Sequence, residues 1–245
     1  QECLRGLRFE TKDPVCEILI VDNGSDAPVQ DYYAALAEDP RIKVMHMPGR
    51  FNFSAMCNAA AEIAKGVCLV FLNNDMSVIN PDWLRPLLDL AMRADIGAVG
   101  ARLLFPGGSL QHAGVVVGMG GYADHESHGA VADYDGYLGR LGVVHEVSAV
   151  TGACIAVEAR KFHAVNGFDA ERFPVELNDI DLCLRLARAG WRNLMSPQSV
   201  LIHHQSASRG FSFRPFERYG LERGHFRELW RDAIRDDPFF HPALS

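Results

Sequence analysis

The chain has no surplus of basic residues. Across 245 residues, 24 Lys and Arg face 31 Asp and Glu, giving a net charge of −7. With no basic run either, a nucleic-acid surface is not its main business. No apolar run reaches the roughly 18 residues that a membrane span needs. None of the six cysteines (Cys3, Cys16, Cys57, Cys68, Cys154, Cys183) forms a C-x-x-C pair, and several sit in apolar runs such as GVCLVFL and TGACIAV. They read as reduced, buried, small hydrophobes of a cytosolic protein rather than as a disulfide scaffold. Neither GxxxxGK[ST] nor GxGxxG follows a strand, and GMGG at 118–121 fits neither template. A diphosphate would therefore have to be neutralised by a metal and side chains rather than by a glycine loop. Internal repeats and low-complexity segments are also missing. The chain opens without an initiator methionine and its first apolar strand comes late, so a piece of something longer is expected.

What is present has the balance of an ordinary globular protein, 48% apolar and 22% charged. VCEILIVD (15–22) is a continuous apolar run ending in Asp and followed by NGSD, a buried strand entering a turn. DYYAALAED then reads as a helix, RIKVMHM as a strand, and SAMCNAAAEIAKG as a helix capped by Ser54 and stopped by Gly66. VCLVFLNND is a third buried strand. NPDWLRPLLDLAMRAD is a helix with an Asn cap and Pro81 at its first position, which Pro86 should kink or restart. GAVGARLLF is a fourth strand. This alternation predicts an α/β fold with a mostly parallel sheet flanked by helices. From 106 to 142 the chain is rich in Gly and His and has no steady period; a mobile, acceptor-side segment is expected there. Regularity returns with HEVSAVTGACIAVEARKFHAV, the helix VELNDIDLCLRLARAG, the strand SVLIHH and a polar helical tail.

Two apolar strands end in acids, Asp22 and Asp75. In doubly wound sheets ligands sit beyond the carboxyl ends of strands, where an Asp can accept from a ribose hydroxyl or a base. The alternative reading of each is a turn former. In NND (73–75) amide and carboxylate oxygens gather in one small volume, as a hard divalent cation requires. His203 and His204 lie at another strand end; their side chains point to opposite faces, so at most one reaches a shared site.

The ordered motifs IVDNGS, FNFSAMCN, LNND, VTGAC, GFDAERFPVELNDIDLCLR and LIHHQSASRG resemble glycosyltransferase family 2, inverting sugar-nucleotide enzymes of the GT-A fold, over roughly residues 14 to 210. The likeness is to bacterial members that build O-antigen or capsule polysaccharide. It implies a single GT-A domain over 1–210, with a nucleotide-binding half (1–105), an acceptor and catalytic half (106–210), and a helical tail (211–245). It implies that Asp22, Asn23, Ser25, Asn58 and Asn74 contact the nucleotide. Asn73 and Asp75 match the family's D-x-D signature, with Asp75 and His203 as ligands of Mn2+ or Mg2+. Gly152 would let backbone approach the sugar or acceptor, and Asp179 would be the catalytic base. The implied partners are a nucleotide-diphosphate sugar and a glycan or lipid-linked acceptor, with no nucleic acid. The implied place is the cytoplasm, at the inner face of a membrane through the acceptor. Two departures stand out. Asn178 occupies a position where many members have Glu, and the family's usual opening strand is missing, which leaves a sheet position either empty or filled by residues outside this sequence.

The acidic start of the helix from 175 to 190 then has two readings. As structure, Asn178 is the N-cap, Asp179 and Asp181 complement the helix dipole, Asp181 pairs with Arg185, and Ile180, Cys183, Leu184 and Ala187 form a core-facing stripe. As chemistry, a single displacement needs a carboxylate to take the acceptor's proton, and a helix N-terminus positions it rigidly. Glu176 has no role in either. For the whole chain, the competing class is a non-catalytic sugar-nucleotide or glycan-binding module. A Rossmann-type oxidoreductase or methyltransferase lacks its glycine fingerprint. The QxxRW motif of processive synthases is absent too, which favours one sugar per encounter.

Overall fold

The computed structural model describes residues 1–241 except 14, 16, 37 and 205–218. Cys16, the 205–210 part of the LIHHQSASRG motif and the first residues of the expected tail helix lie outside the described residues. The five described cysteines are all free thiols.

The expected alternation is there. In chain order it runs α1 (Glu2–Arg5), β1 (Ile18–Asp22), α2 (Ala27–Leu36), β2 (Ile42–His46), α3 (Phe53–Ile63), β3 (Cys68–Leu72), β4 (Met76–Val78), α4 (Leu84–Ala91) and β5 (Ile96–Leu104). The irregular segment holds three short strands, β6 (Leu110–His112), β7 (Val115–Val117) and β8 (Ala123–His125). Then come β9 (His145–Val147), β10 (Cys154–Glu158), α5 (Ala159–Ala164), α6 (Asn178–Arg188), β11 (Arg192–His203), α7 (Gly220–Leu229) and α8 (Arg231–Arg235).

The expectation of a mostly parallel sheet is corrected. Seven strands form one mixed sheet in the order β3-β10-β5-β11-β4, with β6 on β5 and β9 on β11. Within it only β5 and β11 run parallel. β1 and β2 pair parallel as a separate two-stranded sheet. An unbroken apolar run reports burial on both faces, which this sheet provides, and not strand direction. Among the described residues no strand pairs with the second edge of β1 or of β3.

Side chains alternate faces along each strand. Leu69, Phe71, Ile155 and Val157 join the core built with Phe162, Phe168, Leu182 and Leu186. Cys154 and Ala156 turn the other way, to Trp83, Leu84 and Leu87 of the α4 side. β5 is central, with Ile96, Ala98, Val99, Ala101 and Leu103 wholly covered. Lys161 is fully buried, yet its ammonium is satisfied by Glu158 at 2.8 Å and by the Ala91 and Arg93 carbonyls at the end of α4.

Helix starts differ from expectation in physically clear ways. Asn52, not Ser54, caps α3 by accepting from the Ala55 N–H at 2.9 Å, and the Ser54 hydroxyl donates to the Phe173 carbonyl. Asn80 and Pro81 form a turn ahead of α4, which starts at Leu84. Pro86 falls in its first turn, where a missing N–H leaves no intrahelical bond unmade. Leu177 (φ +62°), not Asn178, precedes α6, and the Asn178 amide donates back to the Val175 carbonyl. α6 is covered on more than one face: Leu182 and Leu186 are buried, whereas Ala187 of the expected stripe is exposed.

The tail is not uniformly polar. Phe226 and Trp230 sit in the main core, with the Phe226 ring edge-on to Phe173. No described helix is long and apolar enough to cross a membrane. Phe226→Ala should cost roughly 3–5 kcal/mol of unfolding free energy, the usual loss for a fully buried Phe. Urea denaturation checks this, and a loss under about 1 kcal/mol would mean that α7 is not part of the cooperative core.

Candidate active site

The site forms where the ends of β3, β6 and β11 meet the starts of β10 and α6. β3 runs out into Asn73-Asn74-Asp75, and the chain then turns into β4, which pairs with the end of β11. The Asp75 carbonyl accepts from the His204 N–H at 2.9 Å, so Asp75 and the His203–His204 pair are locked together by backbone. His203 Nε2 lies 3.1 Å from Asp75 Oδ1 and 3.4 Å from Asn73 Nδ2. His204 points to the opposite face, against the Ser77 hydroxyl at 2.6 Å, which itself donates to Glu2. Strand alternation thus brings His203, and not His204, to Asp75. Asn74 is exposed at the turn.

His203 is oriented from behind by Gln111. The Gln111 amide nitrogen donates to the His203 carbonyl at 3.3 Å, so its oxygen faces His203 Nδ1 at 2.6 Å and accepts the proton carried there. Nε2 is then the imidazole nitrogen left to face Asp75. This is the outer-shell arrangement that holds metal-ligating histidines in one tautomer. A carboxylate, an amide and an imidazole nitrogen presented together fit a divalent cation that keeps a bound diphosphate and waters. Among the described residues there is no group of three or more His, Cys, Asp or Glu suited to a metal, so a ligand or residues beyond these would complete the coordination.

The second half of the site is built on the turn from Val150 to Ala153. Gly100 makes room for it, since a Cβ there would lie 2.7 Å from Val150 Cβ. Three successive residues of the turn are tied to the site by backbone groups. The Thr151 N–H donates to His112 Nε2 at 3.3 Å, the Gly152 N–H to Asp179 Oδ2 at 2.6 Å, and the Ala153 carbonyl accepts from the Asn73 N–H at 3.0 Å. Asp179 Oδ1 takes the Ile180 N–H at 2.9 Å. The residue stays partly exposed, so its remaining lone pairs can be reached. Gly152 is packed against Asp179, where an added Cβ would sit 3.3 Å from Asp179 Cβ.

Of the residues expected along the nucleotide, Asp22, Asn23, Ser25 and Asn58 are bound by other groups of the protein. The buried Asp22 carboxylate accepts from the Gly24 and Ser25 N–H groups, the Ser25 hydroxyl, Gln30 Nε2 at 2.9 Å and His46 Nδ1 at 3.1 Å. Burial would raise its pKa, but these bonds outweigh it and hold the carboxyl well below its ordinary range. The Asn23 amide donates to the Met47 carbonyl at 2.7 Å and shapes the same loop. The Asn58 amide joins α3 to the backbone of Phe168, donating at 2.8 Å and accepting at 2.9 Å. That is a contact different from the nucleoside one implied by the resemblance.

The acidic helix start divides by partner. Asp181 pairs with Arg185 at 2.8 Å as expected, but it is buried and also accepts from Trp230 Nε1 at 2.9 Å. Burial pushes its pKa up against the pull of both partners. Glu176, which had no role, takes both arms of Arg223 at 2.7 and 2.6 Å. Glu222 accepts from the Val175 and Glu176 N–H groups at 2.9 and 2.6 Å. Sequence reading missed Gln111 and His112. The one signal was an amide and an imidazole side by side between Leu110 and Ala113, in a strand too short to show a period.

Residues 1–114 match the family model described as Glycosyl transferase family 2. The chain is 39% identical over 245 residues to the O-antigen biosynthesis protein RfbC of Myxococcus xanthus, covering 98% of this chain and 19% of that one. It is 38% identical over 233 residues to an uncharacterized protein, y4gI, of Sinorhizobium fredii, covering 94% and 26%. It therefore spans about a quarter or less of the length of these relatives. Among solved structures it is similar to the mannosyltransferase PcManGT from Pyrobaculum calidifontis in complex with GDP-Man and Mn2+, with a TM-score of 0.61 and 16% identity, covering 96% of this chain and 60% of that one. The fold is α/β, a mixed sheet flanked by helices, and resembles the GT-A nucleotide-sugar transferase fold.

Burial lowers the pKa of His112 most, and those of His125 and His145 as well. An unfolded histidine titrates near about 6.5. Below that pH the unfolded chain binds protons that the folded chain refuses, so stability is full above it and falls as pH drops. Unfolding free energy from urea titrations should be lower at pH 5.5 than at pH 7.5, with a smaller drop in His112→Phe. Equal or greater stability at pH 5.5 would contradict this.

Proposed function

We propose that this glycosyltransferase family 2 domain, related to bacterial sugar-transfer enzymes, moves a sugar from a nucleotide-diphosphate donor to a hydroxyl of a glycan or lipid-linked acceptor with inversion. The observation that carries the reading is the shared turn. Gly152 and Ala153, consecutive residues, bind Asp179 and Asn73, which ties a partly exposed carboxylate to the Asn73–Asp75–His203 cluster. The RfbC relative, an O-antigen biosynthesis protein, supports a glycan acceptor, and the GDP-Man and Mn2+ complex supports a nucleotide-sugar donor bound with a metal.

In this mechanism Asp179 takes the proton from the acceptor hydroxyl as its oxygen attacks the anomeric carbon. The Gly152 and Ile180 N–H groups hold the carboxylate in one orientation, as a positioned base needs. Asp75 and His203, with Asn73, would hold Mn2+ or Mg2+, which when bound offsets charge developing on the diphosphate leaving group. Gln111 keeps His203 Nε2 turned to that position. Asp22, Asn23, Ser25, Asn58 and Asn74 are the proposed nucleotide face. Residues 1–105 would serve the donor and 106–210 the acceptor, with 211–245 as the tail. The proposed place of action is the cytoplasmic face of a membrane, reached through the acceptor.

The test is Asp179→Asn, assayed against a panel of nucleotide sugars and simple glycoside acceptors. Turnover should fall on the order of a hundredfold or more while calorimetric affinity for nucleotide and manganese is kept. Turnover within about threefold of wild type, well short of the 10²–10⁴ expected of a general base, would remove Asp179 from the mechanism. Nucleotide binding by the wild type with no transfer from any donor would instead favour the binding-module reading.

A further inference from the structure

His125, on β8, is a second histidine of the site that the proposed reaction does not yet use. Its Nδ1 lies 2.8 Å from Nδ1 of His112, with the two rings edge to face. His112 is completely covered. The protons of this pair can be placed from donors whose roles are fixed. A backbone N–H only donates, so the Thr151 N–H makes His112 Nε2 an acceptor. The single proton of neutral His112 is then on Nδ1, and it is donated to His125 Nδ1. That nitrogen must be unprotonated to receive it, so the proton of His125 is on Nε2.

The Nε2 edge of His125 is the one turned away from buried His112. The ring is partly exposed, and no described residue takes a hydrogen bond from Nε2. His125 lies close enough to Asp179 for the carboxylate to act on it electrostatically. The same turn holds both groups: Thr151 through His112 to His125, and Gly152 to Asp179. A fixed N–H donor beside a fixed carboxylate is what a polyol needs to be held by one hydroxyl while another loses its proton.

We propose that His125 is an acceptor-binding residue, donating its Nε2–H to a hydroxyl oxygen of the acceptor sugar next to the one that Asp179 deprotonates, and that His112 is the positioning residue that sets its tautomer. This rests on the glycosyl-transfer reading for the identity of the ligand, but the tautomer assignment stands apart from it.

The full chain is used for the test. Long-range proton–nitrogen correlation of the imidazoles at pH 7 should show His112 with its proton on Nδ1 and His125 with its proton on Nε2. The opposite tautomer at either residue overturns the proposal whatever the activity. In transfer assays with the methyl glycoside that the wild type uses best, His125→Ala should raise KM for the glycoside about tenfold, the scale of one lost hydrogen bond. Affinity for nucleoside diphosphate and manganese should not change. His125→Gln, which keeps an N–H near the Nε2 position, should recover most of the loss. An unchanged glycoside KM in His125→Ala overturns the assignment. If the wild type transfers to no glycoside, the transferase reading fails by its own test. Methyl glycosides titrated against the His125 Nε2 signal then decide this proposal, with movement supporting it and no movement with any of them overturning it.

Discussion

The turn from Thr151 to Ala153 is the constraint on which the site depends. Three successive residues of it bind three different parts of the chain: His112 on β6, Asp179 on α6 and Asn73 beyond β3. No side chain of the turn is needed for these bonds, so the geometry is set by backbone, which has no rotamers to lose. The turn is fixed in turn by β10, which leads out of it between β3 and β5, and by the close approach of Val150 to Gly100. Packing of the sheet centre thereby becomes precision at the proposed base and at the proposed metal ligands.

A second device holds the start of α6 from the other side. Leu177 has left-handed backbone, a conformation that costs a non-glycine residue on the order of 1 kcal/mol or more. The segment ahead of it is pinned by Glu222 across two N–H groups and by Arg223 on Glu176. Asp181 extends the grip to Trp230. The C-terminal helices therefore act on Asp179 without touching it, through the backbone that aims it. Asp237 adds a tie to β7 and to the residue after β9, accepting from the Val117 N–H and the Ser148 hydroxyl.

Much of this could be read from the sequence, for identifiable reasons. Apolar runs ending in Asp22, Asp75 and His203 are visible because burial and its abrupt end are both local signals. The opposite facing of His203 and His204 follows from strand geometry alone. Strand direction could not be read, since covered strands look alike in parallel and antiparallel sheets, and the sheet is mixed. The sequence favours a start of α6 one residue late because Asn178 is a good cap by type, whereas tertiary bonds to Glu222 and Arg223, more than forty residues on, select Leu177. Gln111 and His112 sit in a three-residue strand. Their roles exist only through partners on β11, β8 and the 151–153 turn.

The central claim is that Asp75 and His203, aimed by Gln111, make nucleotide binding depend on a divalent metal. The most direct measurement is titration calorimetry of nucleoside diphosphates with manganese and with a chelator, on the wild type and on Asp75→Ala. The account predicts that manganese strengthens binding of at least one nucleoside diphosphate by tenfold or more, on the order of the second-shell and ligand effects known for metal sites, and that Asp75→Ala abolishes the gain while remaining folded. Equal affinity with manganese and with chelator, or an undiminished gain in Asp75→Ala, would contradict it.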